Sequence, residues 1–230
     1  MSGTAFRALV VATWRERLSR RMALILCVLI CVATSGSAVT ASHVLQDPTT
    51  VLALILGAGS VGRDVSSGVL ALLLTRPVRR STYLLAKWTA VTAAVAGLGC
   101  VTLVVQAVLL RWRGVDITGG ELWGAVFSSV TGAAGLASVL ALLSVVLPGF
   151  ADVAAWAALN VVGFLLQHWL PIRVHTEWRG LVQPTLGWTS TFGATPVSWF
   201  GLTTYLSNVT ICLCLAALAL NRKEISYASG

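Results

Sequence analysis

The feature that most constrains this sequence is a series of apolar runs, each about as long as a bilayer is thick, separated by polar segments that hold most of the charge. Hydrophobic residues make up 57% of the 230 positions and charged residues only 10%, which leaves too little polar surface to cover a soluble domain of this size. A helix needs about 20 apolar residues to cross roughly 30 Å of hydrocarbon. The sequence therefore predicts an all-α, polytopic membrane protein with one transmembrane domain over residues 1–230.

Six runs are long enough to be transmembrane helices, and they cover residues 22–41, 48–67, 87–110, 122–147, 152–170 and 197–220. Asp47 and Pro48 give the second run a helix start, because a capping side chain precedes a residue that lacks an N–H. Residues 4–20 predict an amphipathic helix that lies in the membrane interface. Residues 171–196 mix large apolar side chains with Gly and Pro, and we expect this outer loop to re-enter the outer leaflet.

The basic residues predict the orientation of these spans. Twelve of the 16 Lys and Arg residues fall before the first span, in the segment 63–87, or after the last span, which six spans place on one side. Cytoplasmic loops of membrane proteins carry such an excess of basic residues. We therefore expect both termini in the cytoplasm of a protein of the cell (plasma or inner) membrane.

The sequence Gly57–Gly62, GAGSVG, matches a dinucleotide-binding fingerprint in form only. It follows no strand, and Arg63 and Asp64 stand where a phosphate-binding loop needs Lys and a hydroxyl. Small residues that let helices approach closely explain the motif better. A chain without a nucleotide site must take its energy from another chain or do passive work. The net charge of +8 is explained by orientation in the membrane, so we expect no nucleic-acid partner.

Other chemistry finds little support in the sequence. The five cysteines lie in apolar runs, where they behave as small hydrophobic residues, and we predict neither a metal site nor catalytic residues. An intramembrane redox or metal-binding enzyme remains an alternative that rests on His168 and these cysteines. A passive membrane anchor that recruits a cytoplasmic partner is a second alternative.

One short apolar stretch, Val69–Leu74, has no room to cross a bilayer. Arg63 and Asp64 precede it, and Arg76, Pro77 and further arginines follow it. Charges at both ends hold the stretch at the cytoplasmic surface, and Pro77 disfavours a helix that continues through Arg76. The pattern predicts a short surface helix whose leucines are buried by the membrane or by a groove on a cytoplasmic protein.

The sequence from Arg63 to Lys87, RDVSSGVLALLLTRPVRRSTYLLAK, resembles the segment between the second and third spans of type-2 ABC exporter permeases. That family typically has an acidic residue at the end of span two, a leucine-rich turn, an Arg-Pro motif and a Lys that opens span three. Asp64 stands where Glu is commoner, and Arg79 where Ser is commoner. The layout of the whole chain is similar too, most of all to the branch annotated with multicopper-enzyme maturation, gliding and drug-export permeases.

The resemblance implies a transmembrane subunit of an ATP-driven exporter, in which residues 64–76 form a coupling helix that docks on a separate nucleotide-binding subunit. This chain would bind no cofactor, because ATP and Mg would bind to that ATPase. Two permease chains, either two copies or this chain and a paralogue, would pair with two ATPases. The residues implied to contact the ATPase are Asp64, Ser67, Gly68, Leu70, Leu72, Leu73, Arg76, Pro77 and Arg79.

Few polar side chains fall within the predicted spans. We take Asn160, Ser128, Thr131 and Asn208 as candidates for a substrate pathway, with hydrogen bonding between helices as the alternative. The scarcity of charge there favours an amphipathic, lipid-like or peptide substrate over a small ion.

Overall fold

The computed structural model of the chain is a helical bundle, described here for residues 3–18, 21–42, 44–66, 79–147, 151–166, 181–182, 184 and 199–222. All regular secondary structure in these ranges is helical, as the apolar periodicity predicts. The helices are α1 (Gly3–Leu18), α2 (Arg21–Ser37, continued by a π-helical turn over Ala38–Ser42), α3 (Thr49–Gly57), α4 (Gly62–Ser66), α5 (Arg80–Trp112), α6 (Gly119–Val146), α7 (Ala151–Leu166) and α8 (Trp199–Arg222).

Within the described residues, four helices are long and apolar enough to cross a membrane, namely those over Arg21–Thr40, Arg80–Trp112, Gly119–Val146 and Gly201–Arg222. They correspond to the predicted spans one, three, four and six. The fifth predicted span contains the shorter apolar helix Ala151–Leu165. The second is divided into α3 and α4 by a turn at 58–61, so the count of six spans remains a prediction.

Helix α5 begins seven residues before the predicted start of span three. Its 33 residues extend over about 50 Å, which exceeds the roughly 30 Å of hydrocarbon in a bilayer. The helix starts directly after Arg79, two residues beyond Pro77, whose ring disfavours a helix that runs through it. The additional turns bring Tyr83 and Lys87 beside the end of span two.

The largest core cluster lies where α2, α3, α5, α6 and α7 meet, with buried residues that include Cys27, Leu52, Val95, Leu140 and Trp156. A second cluster lies at the predicted inner end and joins α5, α6 and α8 through Leu84, Val145 and Leu220, with Leu9 of α1 packed against it. This second cluster supports the site described below.

Val182 and Pro184 belong to the predicted outer loop, most of which lies outside the described residues. The indole N–H of Trp156 donates to the Val182 carbonyl over 3.1 Å, and Val182 is buried in the main core. A Cβ on Gly135 would collide with the Pro184 carbonyl. These contacts favour a loop that enters the bundle, and its full path remains a prediction.

Candidate functional site

The predicted coupling segment is described only at its two ends. The residues Ser67, Gly68, Leu70, Leu72, Leu73, Arg76 and Pro77 lie outside the described part of the chain. Asp64 precedes this segment in α4, and Arg79 follows it as the N-cap of α5. The site is therefore built from the residues that hold the two ends in place.

A buried ion pair joins these ends. Lys87 Nζ of α5 lies 2.9 Å from Asp64 Oδ2 of α4, and the two side chains are only 8% and 10% exposed. Each charge of a pair at this depth depends on the other, because removal of either partner leaves an uncompensated buried charge. The pair fixes the last helical residues before the coupling segment against the first turns after it. The sequence prediction placed Asp64 on the docking surface, whereas its carboxylate faces into the chain.

Two further side chains complete this group. The Tyr83 hydroxyl, one turn before Lys87, donates to Asp64 Oδ2. Glu16 of α1 reaches Lys87 Nζ at 3.4 Å and is 38% exposed. We refer to Glu16, Asp64, Tyr83 and Lys87 as the inner charge cluster. It connects α1, α4 and α5 at one point.

A further contact attaches α1 to α5 close to this cluster. The Trp14 indole N–H donates to the Ala90 carbonyl over 2.8 Å, although that carbonyl lies within a helix. Thr13 is buried and donates to Leu9 O of its own helix over 2.9 Å. The predicted interfacial helix therefore packs along the start of α5.

The start of α5 is held to the end of α8. Arg80 Nη1 donates to the carbonyls of Leu220 and Asn221 over 2.9 and 3.1 Å. The last carbonyls of a helix lack partners within that helix and carry partial negative charge, so a guanidinium stabilises them. Arg79, predicted to contact the ATPase, is exposed, and its carbonyl accepts from the backbone N–H of Thr82 and Tyr83.

The interruption of span two is supported by an aspartate from another helix. Gly59 has φ 61°, a left-handed conformation that glycine adopts at little steric cost. Its N–H donates to Asp152 Oδ2 of α7 over 2.7 Å, and Asp152 is fully buried. Peptide groups that leave a helix at membrane depth need such partners, because lipid supplies none.

Ser144 of α6 supports the other side of the interruption. Its Oγ accepts from the N–H groups of Val61 and Gly62 over 3.0 and 2.8 Å. A Cβ on Gly62 would lie 2.6 Å from Ser144 O, and one on Gly57 would lie 2.8 Å from a Leu140 methyl. Close packing, the preferred explanation of GAGSVG, is confirmed at these glycines. The motif does not form one continuous helix face, because the chain leaves the helix at Ala58.

A separate polar group links the predicted outer ends of the spans. The Gln106 side chain accepts from Gln46 N and donates to Gln46 O, over 2.8 and 3.0 Å. Asp47 accepts from Thr49 N over 3.0 Å, and the helix begins at Thr49 with Pro48 as its N-cap, one residue later than predicted. The Thr49 hydroxyl lies 2.6 Å from that of Ser129 in α6. These contacts anchor the outer part of span two to α5 and α6.

Comparison with known families now decides the class of the molecule. Residues 20–177, well over half of the chain, match the family model described as ABC-2 family transporter protein. The chain belongs to the ABC-2 transporter family. None of the curated proteins with which it was compared matches it. As an ABC-2 protein it is a membrane transport component, which confirms the resemblance to type-2 permeases at the level of the family, and the specific branch remains a prediction.

Two of the predicted substrate-pathway residues of this ABC-2 protein donate to backbone carbonyls of their own helices. Thr131 Oγ1 donates to Phe127 O over 2.9 Å and to Ser128 O over 3.1 Å. Asn160 Nδ2 donates to Trp156 O over 2.8 Å. Two apolar grooves lie in the bundle, one between α2, α3 and α7 and the other between α2 and α5. Their linings do not include Asn160, Ser128, Thr131 or Asn208. The pathway assignment therefore remains a prediction.

Sequence reasoning missed most of the inner charge cluster. Lys87 was counted as a topology signal and recognised as the family's opening residue of span three, but no partner was predicted for it. Tyr83 and Glu16 carry no local signal, because they meet Asp64 and Lys87 only through packing of α1 on α5. From the sequence Asp152 is predicted only as the start of span five, and its partner follows from its burial in the fold, since a buried carboxylate needs donors.

Proposed function

We propose that this ABC-2 protein is the transmembrane subunit of an ATP-driven exporter, powered by ATPase subunits that are separate chains. Residues 64–76 form the coupling helix, and the pair of permeases consists of two copies or of this chain and a paralogue. The observation that carries the proposal is the inner charge cluster, because it fastens both ends of the coupling segment to three helices of the membrane domain.

The cluster suits the transmission of force. A push on the leucine-rich helix from a closing ATPase reaches Asp64 directly, since α4 ends only one residue before the undescribed segment. From Asp64 it passes to α5 through Lys87 at 2.9 Å and to α1 through Glu16 at 3.4 Å from that lysine. Two bonds to one ammonium therefore link the three helices at their predicted inner ends.

The interruption at 58–61 gives this movement a place to begin. Hinges are a few residues at the ends of elements that absorb changes in φ and ψ. Gly59 and its neighbours connect α4 to α3, whose other end is anchored to α5 and α6 by the outer polar contacts. In our proposal α4 moves with the coupling segment while α3 stays, and substrate is released outward.

The experiment is co-expression with the ATPase that purifies with the chain, followed by ATP turnover of the complex in nanodiscs. Leu72→Asp places a charge on the face predicted to dock, and we expect it to abolish co-purification or permease-stimulated ATP turnover. Leu181→Asp is the matched control, since Leu181 is exposed in the predicted outer loop.

Full coupling in the Leu72→Asp variant would overturn the assignment of the coupling helix. An unstimulated ATPase in the complex with the unmodified chain would favour the passive anchor instead. A chromophore or a stoichiometric metal in the purified protein would favour the redox alternative.

A further inference from the structure

Asp47 lies deeper in the bundle than its place in the sequence suggests. It precedes the predicted second span by one residue, and its carboxylate accepts from the N–H and the hydroxyl of Thr49. The Thr49 hydroxyl lies 2.6 Å from that of Ser129, and a Cβ on Gly99 would lie 3.2 Å from it. Asp47 is therefore bonded to the point where α3 meets the middle turns of α5 and α6.

Helices α5 and α6 each give the depth of this point. Ser129 follows the predicted outer end of span four, residue 122, by seven residues, and Gly99 precedes the predicted outer end of span three, residue 110, by eleven. At a rise of 1.5 Å per residue, these lengths are about 10 and about 16 Å, compared with about 30 Å of hydrocarbon. The Asp47 carboxylate therefore lies about 10 Å below the predicted outer surface of the membrane.

The Asp47 side chain is exposed at this depth. Among the described residues, no Lys, Arg or His lies within ion-pair distance of its carboxylate. A carboxylate in lipid is costly, so acidic residues at membrane depth face a protein interior or a water-filled cavity and mark substrate or ion pathways. The chain at 44–48 is also non-helical, and such backbone at this depth is tolerated only where it is buried or lines a cavity. We therefore expect water at the exposed side of Asp47.

Capping of α3 explains only one of the two carboxylate oxygens of Asp47. Oδ1 accepts both bonds from Thr49, and among the described residues Oδ2 has no hydrogen-bond partner. An asparagine at this position would cap a helix about as well as an aspartate and would carry no charge into the membrane. The cap alone therefore does not account for a carboxylate at this depth.

We propose that Asp47 determines substrate specificity, and that its carboxylate binds the positively charged group, such as an amine, of an amphipathic substrate on its way outward. A charge pair at this depth is stronger than one at the surface, because the bundle has a lower effective dielectric constant than water. A metal ion is a poorer occupant, since it needs several ligands and the described residues contain no group of three or more His, Cys, Asp or Glu that could hold one. That the bound molecule is exported rests on the proposed function, whereas binding needs no ATPase and is measured separately.

Equilibrium dialysis of the purified chain in nanodiscs, corrected for empty nanodiscs, tests the recognition of charge. The probes are tetraphenylphosphonium and tetraphenylborate, which have nearly the same size and apolar surface but opposite charge. Asp47→Asn keeps an acceptor for the Thr49 N–H and removes the charge. We expect it to weaken tetraphenylphosphonium binding about tenfold and to leave tetraphenylborate binding unchanged, whereas Asp47→Glu keeps most of the affinity. Asp116→Asn is the matched control, because Asp116 is exposed between α5 and α6.

Three results of the dialysis would overturn the proposal. The first is equal tetraphenylphosphonium binding by the Asp47→Asn and unmodified chains. The second is an equal loss of tetraphenylborate binding, which would show that the substitution acts through structure. The third is displacement of the probe by millimolar magnesium, which would assign the site to an inorganic cation.

Thiol labelling in a chain with its five native cysteines replaced by alanine tests the depth and the access of water. Asp47→Cys should react from the outer side with a membrane-impermeant methanethiosulfonate, and tetraphenylphosphonium should slow the reaction. Val130→Cys is the matched control, because Val130 is 40% exposed on an apolar helix and follows Ser129 directly, so it should stay unlabelled. Labelling of both cysteines or of neither would contradict a water-accessible carboxylate at this depth. Dissociation of a dimer by Asp47→Asn would also overturn the proposal, because a second copy would then supply the counter-charge.

Discussion

Replacing Lys87 with methionine removes the ammonium that lies 2.9 Å from the Asp64 carboxylate and keeps most of the side-chain volume. The Asp64 carboxylate would then remain buried with the Tyr83 hydroxyl as its remaining partner in the inner charge cluster. We expect the variant to be strongly destabilised, because a buried charge without its counter-charge loses attraction but keeps its desolvation cost.

The size of the effect follows from the burial of the pair. Side-chain exposures of 8% and 10% place it among buried ion pairs, for which loss of one partner costs about 3–5 kcal/mol. At about 2–4 °C per kcal/mol for a chain of this length, Tm should fall by about 6–20 °C. Glu16→Gln is the control, since Glu16 is 38% exposed and 3.4 Å from the same ammonium. Its loss should cost less than about 1 kcal/mol.

The assay is thermal unfolding of the purified variants in one detergent, followed by fluorescence-detected size-exclusion chromatography. A double variant, Asp64→Asn with Lys87→Met, removes the stranded charge and should recover more than half of the lost Tm. The reasoning is refuted if Lys87→Met lowers Tm no more than Glu16→Gln does. It is refuted as well if the double variant is no more stable than Lys87→Met.

Three further pairs of variants can be compared in the same assay. Gly62→Ala should lower the free energy of unfolding by about 1–3 kcal/mol, because its Cβ would lie 2.6 Å from a backbone carbonyl oxygen. At Gly97 an added Cβ meets open space, so Gly97→Ala should raise the free energy of unfolding by up to about 1 kcal/mol. Equal effects would contradict the close approach. Asp152→Ala should cost about 1–3 kcal/mol by leaving the Gly59 N–H without an acceptor, and Asp152→Asn less; the reverse order would count against that bond. Thr118→Ala should cost about 0.5–2 kcal/mol by removing the capping box of α6. Thr203→Ala, whose exposed hydroxyl donates to the Trp199 carbonyl of its own helix, should change little, and no difference between the two variants would argue against the cap.

The helical class and the long spans were predictable because membrane crossing is governed by hydrophobicity summed over about 20 residues. That quantity is local in sequence, so the ends of α2, α6 and α8 lie within a few residues of the predicted spans. The packing role of the small residues in GAGSVG was predictable as well, because glycines such as Gly57 and Gly62 within an apolar run allow helices to approach closely.

The interruption of span two and the inner charge cluster were not predictable in this way. Hydropathy does not distinguish a continuous helix from α3 and α4 joined by a turn, because the turn residues 58–61 are themselves small or apolar. What decides the matter is the position of Asp152 and Ser144 in the folded bundle. The partners of Lys87 are likewise set by the packing of α1 and α4 on α5, which is tertiary information.

The turn at Gly59 also affects how the chain is inserted into the membrane. Lipid cannot form hydrogen bonds with the peptide N–H groups of this turn. Their acceptors come from later in the chain: Ser144 is 83 residues after Val61, and Asp152 is 93 residues after Gly59. We therefore expect newly translated residues 49–66 to be stable in the bilayer only after α6 and α7 have been made. A protein truncated before residue 152 would lack the acceptor for the Gly59 N–H. We expect quality-control proteases to degrade it.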